Sequence, residues 1–205
     1  IEKSEDLNKF DSLIIPGSKQ TIKDQLFLKA TGLSNDIKNY SKTNGNIFGI
    51  CGGLQMLGTT LEDPFQKEGN PDNLDKKIDG IGLLPLKTTF LENKITRQIH
   101  SESIWPCLSK IEGFEIHNGV TELDTNKNES KIYPIFKNLD LGWYKKNDKG
   151  GTIAGSYIHG LFENDNWRDQ YINLIRKNKN LPTIEKDYVS YKMKRERMIK
   201  NLAKE

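Results

Sequence analysis

The chain has 205 residues, 35% hydrophobic and 29% charged, a balance that suits one large domain with a well-solvated surface around a modest core. A formal net charge of +3, from 31 basic against 28 acidic residues, is too weak to nominate nucleic acid as a partner. No apolar run approaches the ~18–20 residues that span a bilayer, so no membrane association is expected.

The first residues, Ile1 to Asp6, lack the charged-then-apolar pattern of a secretory signal. Two cysteines cannot build a disulfide framework, and three histidines without Cys-x-x-Cys spacing argue against a metal site. A reducing, cytoplasmic setting fits these counts.

In chain order, the apolar run Asp11–Pro16, closed by Gly17, reads as a buried parallel strand. Thr21-Ile-Lys-Asp24 has capping-box spacing with Asp in the usual Glu place, and predicts a helix that stops near Gly32. Residues 33–43 read as a second helix, polar on most faces. Asn46–Ile50 is a second apolar strand that runs into Cys51-Gly-Gly53, and Leu54, Leu57 and Leu61 then share a helical face over 54–61. Strand, tight turn and helix form the repeating unit of an α/β sheet.

The composition of 62–80 predicts a long surface loop. Short β-prone pieces follow at 81–86, 95–99, 113–116, 133–136, 141–144 and 153–158, and the tail carries helices over 165–178 and 186–204. A doubly wound sheet usually opens with a strand and a helix. Here the first strand already leads to a functional-looking turn, so the chain is expected to lack the first strand and helix of its fold.

The strongest local signal is Phe48-Gly-Ile-Cys-Gly-Gly-Leu-Gln55. A strand that turns sharply into a helix through small residues lifts the intervening side chain to the top of the sheet, the geometry of a nucleophile elbow with Cys51 at its apex. Gly49 and Gly53 flank it where a Cβ would crowd the turn. The helix N-terminus beneath Cys51 is expected to favour a thiolate and to aim the Gly52 N–H at developing oxyanion charge. The competing reading is a structural cysteine before a helix, which is how Cys107 is read.

A thiol nucleophile needs a base. His159, at the end of a strand and before Gly160, is the first candidate; His117, also after a strand, is the second; His100 reads as surface. The turn Pro16-Gly-Ser-Lys19 lacks phosphate-loop spacing. Its place after a strand allows a backbone N–H of Gly17 or Ser18 to complete an oxyanion hole opposite Gly52; the alternative is a turn without a chemical role.

Taken in order, these segments resemble the class I glutamine amidotransferases, in the branch that forms the glutaminase half of cobyric acid synthases. The resemblance rests on Asp11–Lys19 with Asp24; Gly49–Gly58; Gly80–Pro85 with Thr88, Phe90 and Lys94; Gly113–Thr121; Gly155–Glu163 with Arg168; and Arg195-Glu-Arg197 with Leu202 and Ala203. It implies an α/β, flavodoxin-like sheet flanked by helices, spanning residues 1–205 as one amidotransferase domain. The ATP-dependent synthetase domain is expected to be absent from it.

The family's chemistry implies Cys51 as nucleophile on the side-chain amide of glutamine, His159 as general acid and base, Gly17, Ser18 and Gly52 around the oxyanion, and Gln55 on the pocket wall. Glu115 and His117 are candidate supporting residues. Where many relatives carry Glu two residues after the histidine this chain has Leu161, so a Cys–His dyad is implied, with Glu115 as a candidate to orient His159 or a water.

The domain itself needs no cofactor; ATP and Mg belong to the synthetase, which would use the ammonia to amidate corrinoid carboxylates in cobalamin biosynthesis. The alternatives are the glutaminase of cobyrinic acid a,c-diamide synthase or of cell-wall precursor amidation, a DJ-1/PfpI-like cysteine hydrolase, or a catalytically inert partner-binding remnant.

Overall fold

Three short apolar strands set the frame: β1 (Ser12–Ile15), β2 (Asn46–Ile50) and β9 (Thr152–Ser156). They pair in parallel, with Ile15 opposite Gly49, Gly49 opposite Gly155 and Ile50 opposite Ser156. Because all three end at one edge, the segments that follow them are brought together there. This is where open parallel sheets gather their chemistry. The computed structural model describes residues 3–68, 76–126, 131–185 and 188–203.

Around this frame lie α1 (Thr21–Ala30), α2 (Leu33–Tyr40), α3 (Gly52–Leu57), β3 (Thr60–Glu62), β4 (Lys77–Asp79), β5 (Leu86–Ser103), β6 (Ser109–Leu123), β7 (Tyr133–Phe136), β8 (Leu139–Lys146), β10 (Ile158–His159), α4 (Asp165–Asn178) and α5 (Tyr191–Leu202). The sheet runs β1-β2-β9-β8-β7-β5-β3-β4, with β6 paired to β5 and to β10. The mixed α/β architecture with helices against the sheet agrees with the class expected from the sequence.

The β-prone pieces at 95–99 and 113–116 are the middles of much longer strands. β5 and β6 form one long antiparallel hairpin that shifts register between Thr89, opposite Val120, and Lys94, opposite Asn118. The extra residues on β5 make a bulge, which bends a hairpin and re-aims its side chains. Beyond the bulge β6 passes over the end of the parallel frame, and β10 pairs with it through Ile158 opposite Glu115 and His159 opposite Phe114.

Several local expectations are corrected. Thr21 does not cap α1: the N-cap is Gln20, which makes no side-chain cap bond. Ser18 Oγ accepts from Gln20 N, and the Glu68 carboxylate accepts from Thr21 N. α2, polar on most faces as expected, ends at Tyr40 and buries Leu33, Ser34, Ile37 and Tyr40. α3 ends at Leu57, and Leu61 belongs to β3.

The run at 81–86 is not a strand. Its N–H groups bond to carbonyls at the end of α3: Ile81 to Met56, and Leu83 and Leu84 both to Leu57. These carbonyls have no partner inside the helix, so an apolar loop folded beneath them satisfies both hydrogen bonding and burial. The predicted loop over 62–80 holds β4 and two buried acids, Asp63 and Glu68, while 69–75 lie outside the described residues. The tail helix is shorter than 186–204; residues 186, 187 and 204 are likewise outside the description.

Behind β2, Phe48 meets Phe162, Trp167 and Tyr171 edge-on, and Trp167 stacks on Tyr171 at 5.5 Å. Trp167 is fully buried and donates its indole N–H to the Trp105 carbonyl at 3.0 Å. Aromatic burial of this kind supplies a large share of core stability and keeps each ring's polar edge satisfied. It fixes α4 against the strand that delivers Cys51. Among the described residues no helix is long and apolar enough to cross a membrane.

Candidate active site

Cys51 sits between β2 and α3 with φ 51° and ψ −107°, a conformation that non-glycine residues adopt only when their surroundings enforce it. The enforcement is visible on both sides. A Cβ at Gly53 would lie 2.1 Å from the Ile15 carbonyl oxygen, and one at Gly49 would lie 2.6 Å from the backbone of Gly53 and Leu54. Hydrogen bonds from Cys51 N to the Ser156 carbonyl, 2.8 Å, and from Gln55 N to the Cys51 carbonyl, 3.1 Å, lock the turn. Gly53→Ala should therefore lower stability by about 1–3 kcal/mol or more, a backbone clash that cannot relax without moving β1; a thermal or denaturant melt measures it.

The Cys51 thiol donates to the Ile116 carbonyl at 3.4 Å, and His159 Nε2 lies 3.3 Å from that same oxygen. The two groups, 108 positions apart in sequence, thus share one acceptor on β6. A Cβ placed on Gly17 would be 3.7 Å from both Cys51 Cβ and His159 Cε1, so the Gly17 turn packs directly on the pair. One placed on Gly52 would be 2.9 Å from Ser18 N, which brings the second turn's backbone against the start of α3.

Gly17, Ser18, Cys51, Gln55, His117 and His159, together with Lys19, Thr21, Glu68, Phe90, Lys94, Ile116 and Asn118, line a pocket of about 580 Å³. A separate pocket of about 760 Å³ near Lys131, Lys145 and Lys146 holds none of these residues. Six of the eight site residues picked from the sequence therefore meet in one cavity, and Gly52 lies buried beside it.

The expected low-pKa thiolate is corrected. Burial pushes the Cys51 thiol up to about 11, and the negative charge of Glu68 adds to this; the Gly52 N–H and Lys94 pull the other way and lose. A thiol of that strength is ionised to only about one part in 10⁴ near neutral pH, so Cys51 rests as a neutral thiol.

The suggestion that Glu115 orients His159 is also corrected. Glu115 is buried at 2% exposure, accepts from His117 Nε2 at 2.9 Å through one oxygen, and pairs with Arg97 through the other. Alternate residues on a strand share a face, so Glu115 and His117 lie side by side, while across the strand pair Glu115 sits opposite Ile158 and His159 opposite Phe114. The His117 ring stacks on Tyr157 at 3.8 Å. Leu161 is core, and among the described residues no carboxylate is hydrogen-bonded to His159.

Gln55 is committed at both ends, accepting from Thr21 Oγ1 at 3.3 Å and donating to the Asn118 carbonyl at 3.1 Å. It ties α1, α3 and β6 together as a pocket wall. His100 is exposed and Cys107 lies away from the pocket, as the sequence indicated.

Sequence reading missed Glu68, hidden in a segment whose composition says surface loop. Asp63 accepts from the N–H groups of Lys67 and Glu68 at 2.9 Å each, a local turn that folds the segment inward. The Asp63-Pro64 pair was the available signal for it.

A strained cysteine at the end of parallel strand β2 and a histidine in β10, just past the end of β9, thus share one pocket. Residues 1–167 match the CobB/CobQ-like glutamine amidotransferase domain, and the chain belongs to that family. Its fold is similar to a solved glutamine amidotransferase at a TM-score of 0.57 and 14% identity, covering 88% of this chain and 85% of the other.

Among individual proteins the chain is 70% identical over 205 residues to the cobyric acid synthase of Prochlorococcus marinus subsp. pastoris (strain CCMP1986 / NIES-2087 / MED4). It is 69% identical to that of strain AS9601 and 50% identical over 199 residues to that of strain NATL2A. These matches cover 97–100% of this chain but only 39–40% of each relative. The chain thus spans about 40% of the length of the curated relatives it matches.

Proposed function

We propose that residues 1–205 act as the glutaminase of a cobyric acid synthase, releasing ammonia for ATP-dependent amidation of corrinoid carboxylates in the cytoplasm. The observation that carries this reading is the strained Cys51, held with His159 on the Ile116 carbonyl in one pocket, with the Gly17 turn packed on the pair.

Cys51 gives up its proton to His159 as its sulfur attacks the glutamine side-chain carbonyl, and the resulting oxyanion is taken by the N–H groups of Gly52 and of Gly17 or Ser18. The C–N bond then breaks, His159 returns the proton to the leaving nitrogen, and ammonia departs from a γ-glutamyl thioester. Water, deprotonated by His159, hydrolyses the thioester to glutamate. In this reading no cofactor enters these steps; ATP and Mg would serve a synthetase domain.

The neutral resting thiol fits a site that turns on only when substrate and proton acceptor are in place. The DJ-1/PfpI-like alternative is disfavoured by family membership. The test is a coupled assay for ammonia and glutamate: one glutamate per ammonia is expected, slow for this chain alone and faster with the synthetase, ATP and corrinoid present. No glutamine consumption in the complete mixture would overturn the reading.

A further inference from the structure

The cavity of about 760 Å³ lies at the other end of the parallel frame from Cys51. Lys145 and Lys146 close β8 opposite Ile153 and Thr152, at the start of β9; the far end of β9, Ser156, is the one that meets Cys51. Successive residues on a strand point to opposite faces, so a cavity that takes in both lysines wraps around the end of β8. Lys131, Tyr133, Tyr144 and Asp148 share its lining.

Three ammonium groups here stand against one carboxylate, and among the described residues none of the three forms a salt bridge. Lys145 is half-buried, and burial lowers its pKa against the opposing charge of Asp148. An ammonium group drawn out of water without a counter-ion is costly. Lys131 lies over the Tyr133 ring, 5.3 Å from its centroid, which holds that charge at the wall. Burial pushes the Tyr144 phenol up, so it stays an O–H donor.

The wall is also fixed in advance. Asn147 Nδ2 donates to the Ser41 and Thr43 carbonyls at 2.8 Å each, and its Oδ1 accepts from Gly151 N at 2.8 Å. The turn after β8 is thereby tied to the segment after α2, and a preformed wall spares a ligand the cost of ordering it.

A lining of donors calls for a ligand of acceptors. A carboxylate answers one ammonium group, whereas a diphosphate spreads acceptor oxygens over two centres and can meet all three; lysine binds phosphate as a point charge. The volume leaves room for a nucleoside beyond the phosphates. We propose that this cavity is a binding site for a small diphosphate, free or carried by a nucleoside, held by Lys131, Lys145 and Lys146. The site is independent of the chemistry at Cys51.

Isothermal titration of the 205-residue chain without Mg tests this with two probes, inorganic pyrophosphate and ADP. Binding with a Kd below ~1 mM is expected at low salt. Tighter binding of ADP than of pyrophosphate would assign the site to a nucleotide, and any other order to free diphosphate. Lys145→Met and Lys146→Met should each weaken binding by ~10-fold or more. Lys200→Met, which removes the same charge from exposed α5, should leave it unchanged. Lys146 is exposed, so its variant keeps the test in force should Lys145→Met fail to fold. No binding of either probe to the wild type, or equal weakening by Lys200→Met, would overturn the proposal.

Discussion

Changing Cys51 to serine should cut glutamine-dependent ammonia release by roughly 10³-fold or more, because an alcohol in the same place is a far poorer nucleophile than a thiol handed to a base. The fold should be unaffected. Serine is smaller than cysteine by a fraction of an ångström and can make the same bond to the Ile116 carbonyl. The strained φ of 51° is enforced by the backbone around Gly49 and Gly53, not by the sulfur. Glutamate production and a melting curve on the same preparation separate the two effects. A serine variant with wild-type turnover would remove Cys51 from the mechanism.

The second large effect is at His159. His159→Ala should lower turnover by about 10²–10⁴-fold at neutral pH, the usual worth of a positioned general acid and base. The pH dependence carries the sharper information. Burial raises the Cys51 thiol to about 11, so below that value the protonated form dominates and the thiolate grows tenfold per pH unit.

With the base gone, residual activity and alkylation of Cys51 should rise along that slope towards pH 11. The wild type, which passes the proton to His159 on attack, should level off at much lower pH. A flat profile for the variant would mean that the thiol is already ionised and that the account of its burial is wrong.

How much of this was legible in the sequence depends on range. The elbow and the two parallel strands before it could be read because short apolar runs and flanking glycines encode them locally, whereas His159 could only be ranked first by its place after a strand, its partner lying 108 positions away. The expectation for Cys51 acidity failed because the helix beneath it has six residues, and burial outweighs the Gly52 N–H. The apparent helical face through Leu61 failed because Gly58 leaves the helix, and the following turn takes its bonds from β5.

Glu115 was placed beside the right histidine motif but on the wrong partner. Strand alternation puts it on one face with His117, and the β6–β10 register, which sets His159 opposite Phe114, is what only the structure reveals. Glu68 was invisible to composition because its burial comes from a turn organised by Asp63, and its neighbours in space are 47 residues away in sequence at Thr21.

The central claim is that Cys51 becomes acylated by glutamine, and trapping the acyl-enzyme tests it most directly. Glutamine should be mixed with the full-length polypeptide, quenched in acid during turnover, digested and analysed by mass spectrometry. The account predicts a γ-glutamyl adduct on the peptide containing Cys51, absent from the Cys107 peptide and lost on brief treatment with hydroxylamine. Steady ammonia release with Cys51 unmodified at every quench time, and still reactive towards a diazoketone analogue of glutamine only through Cys107, would contradict it.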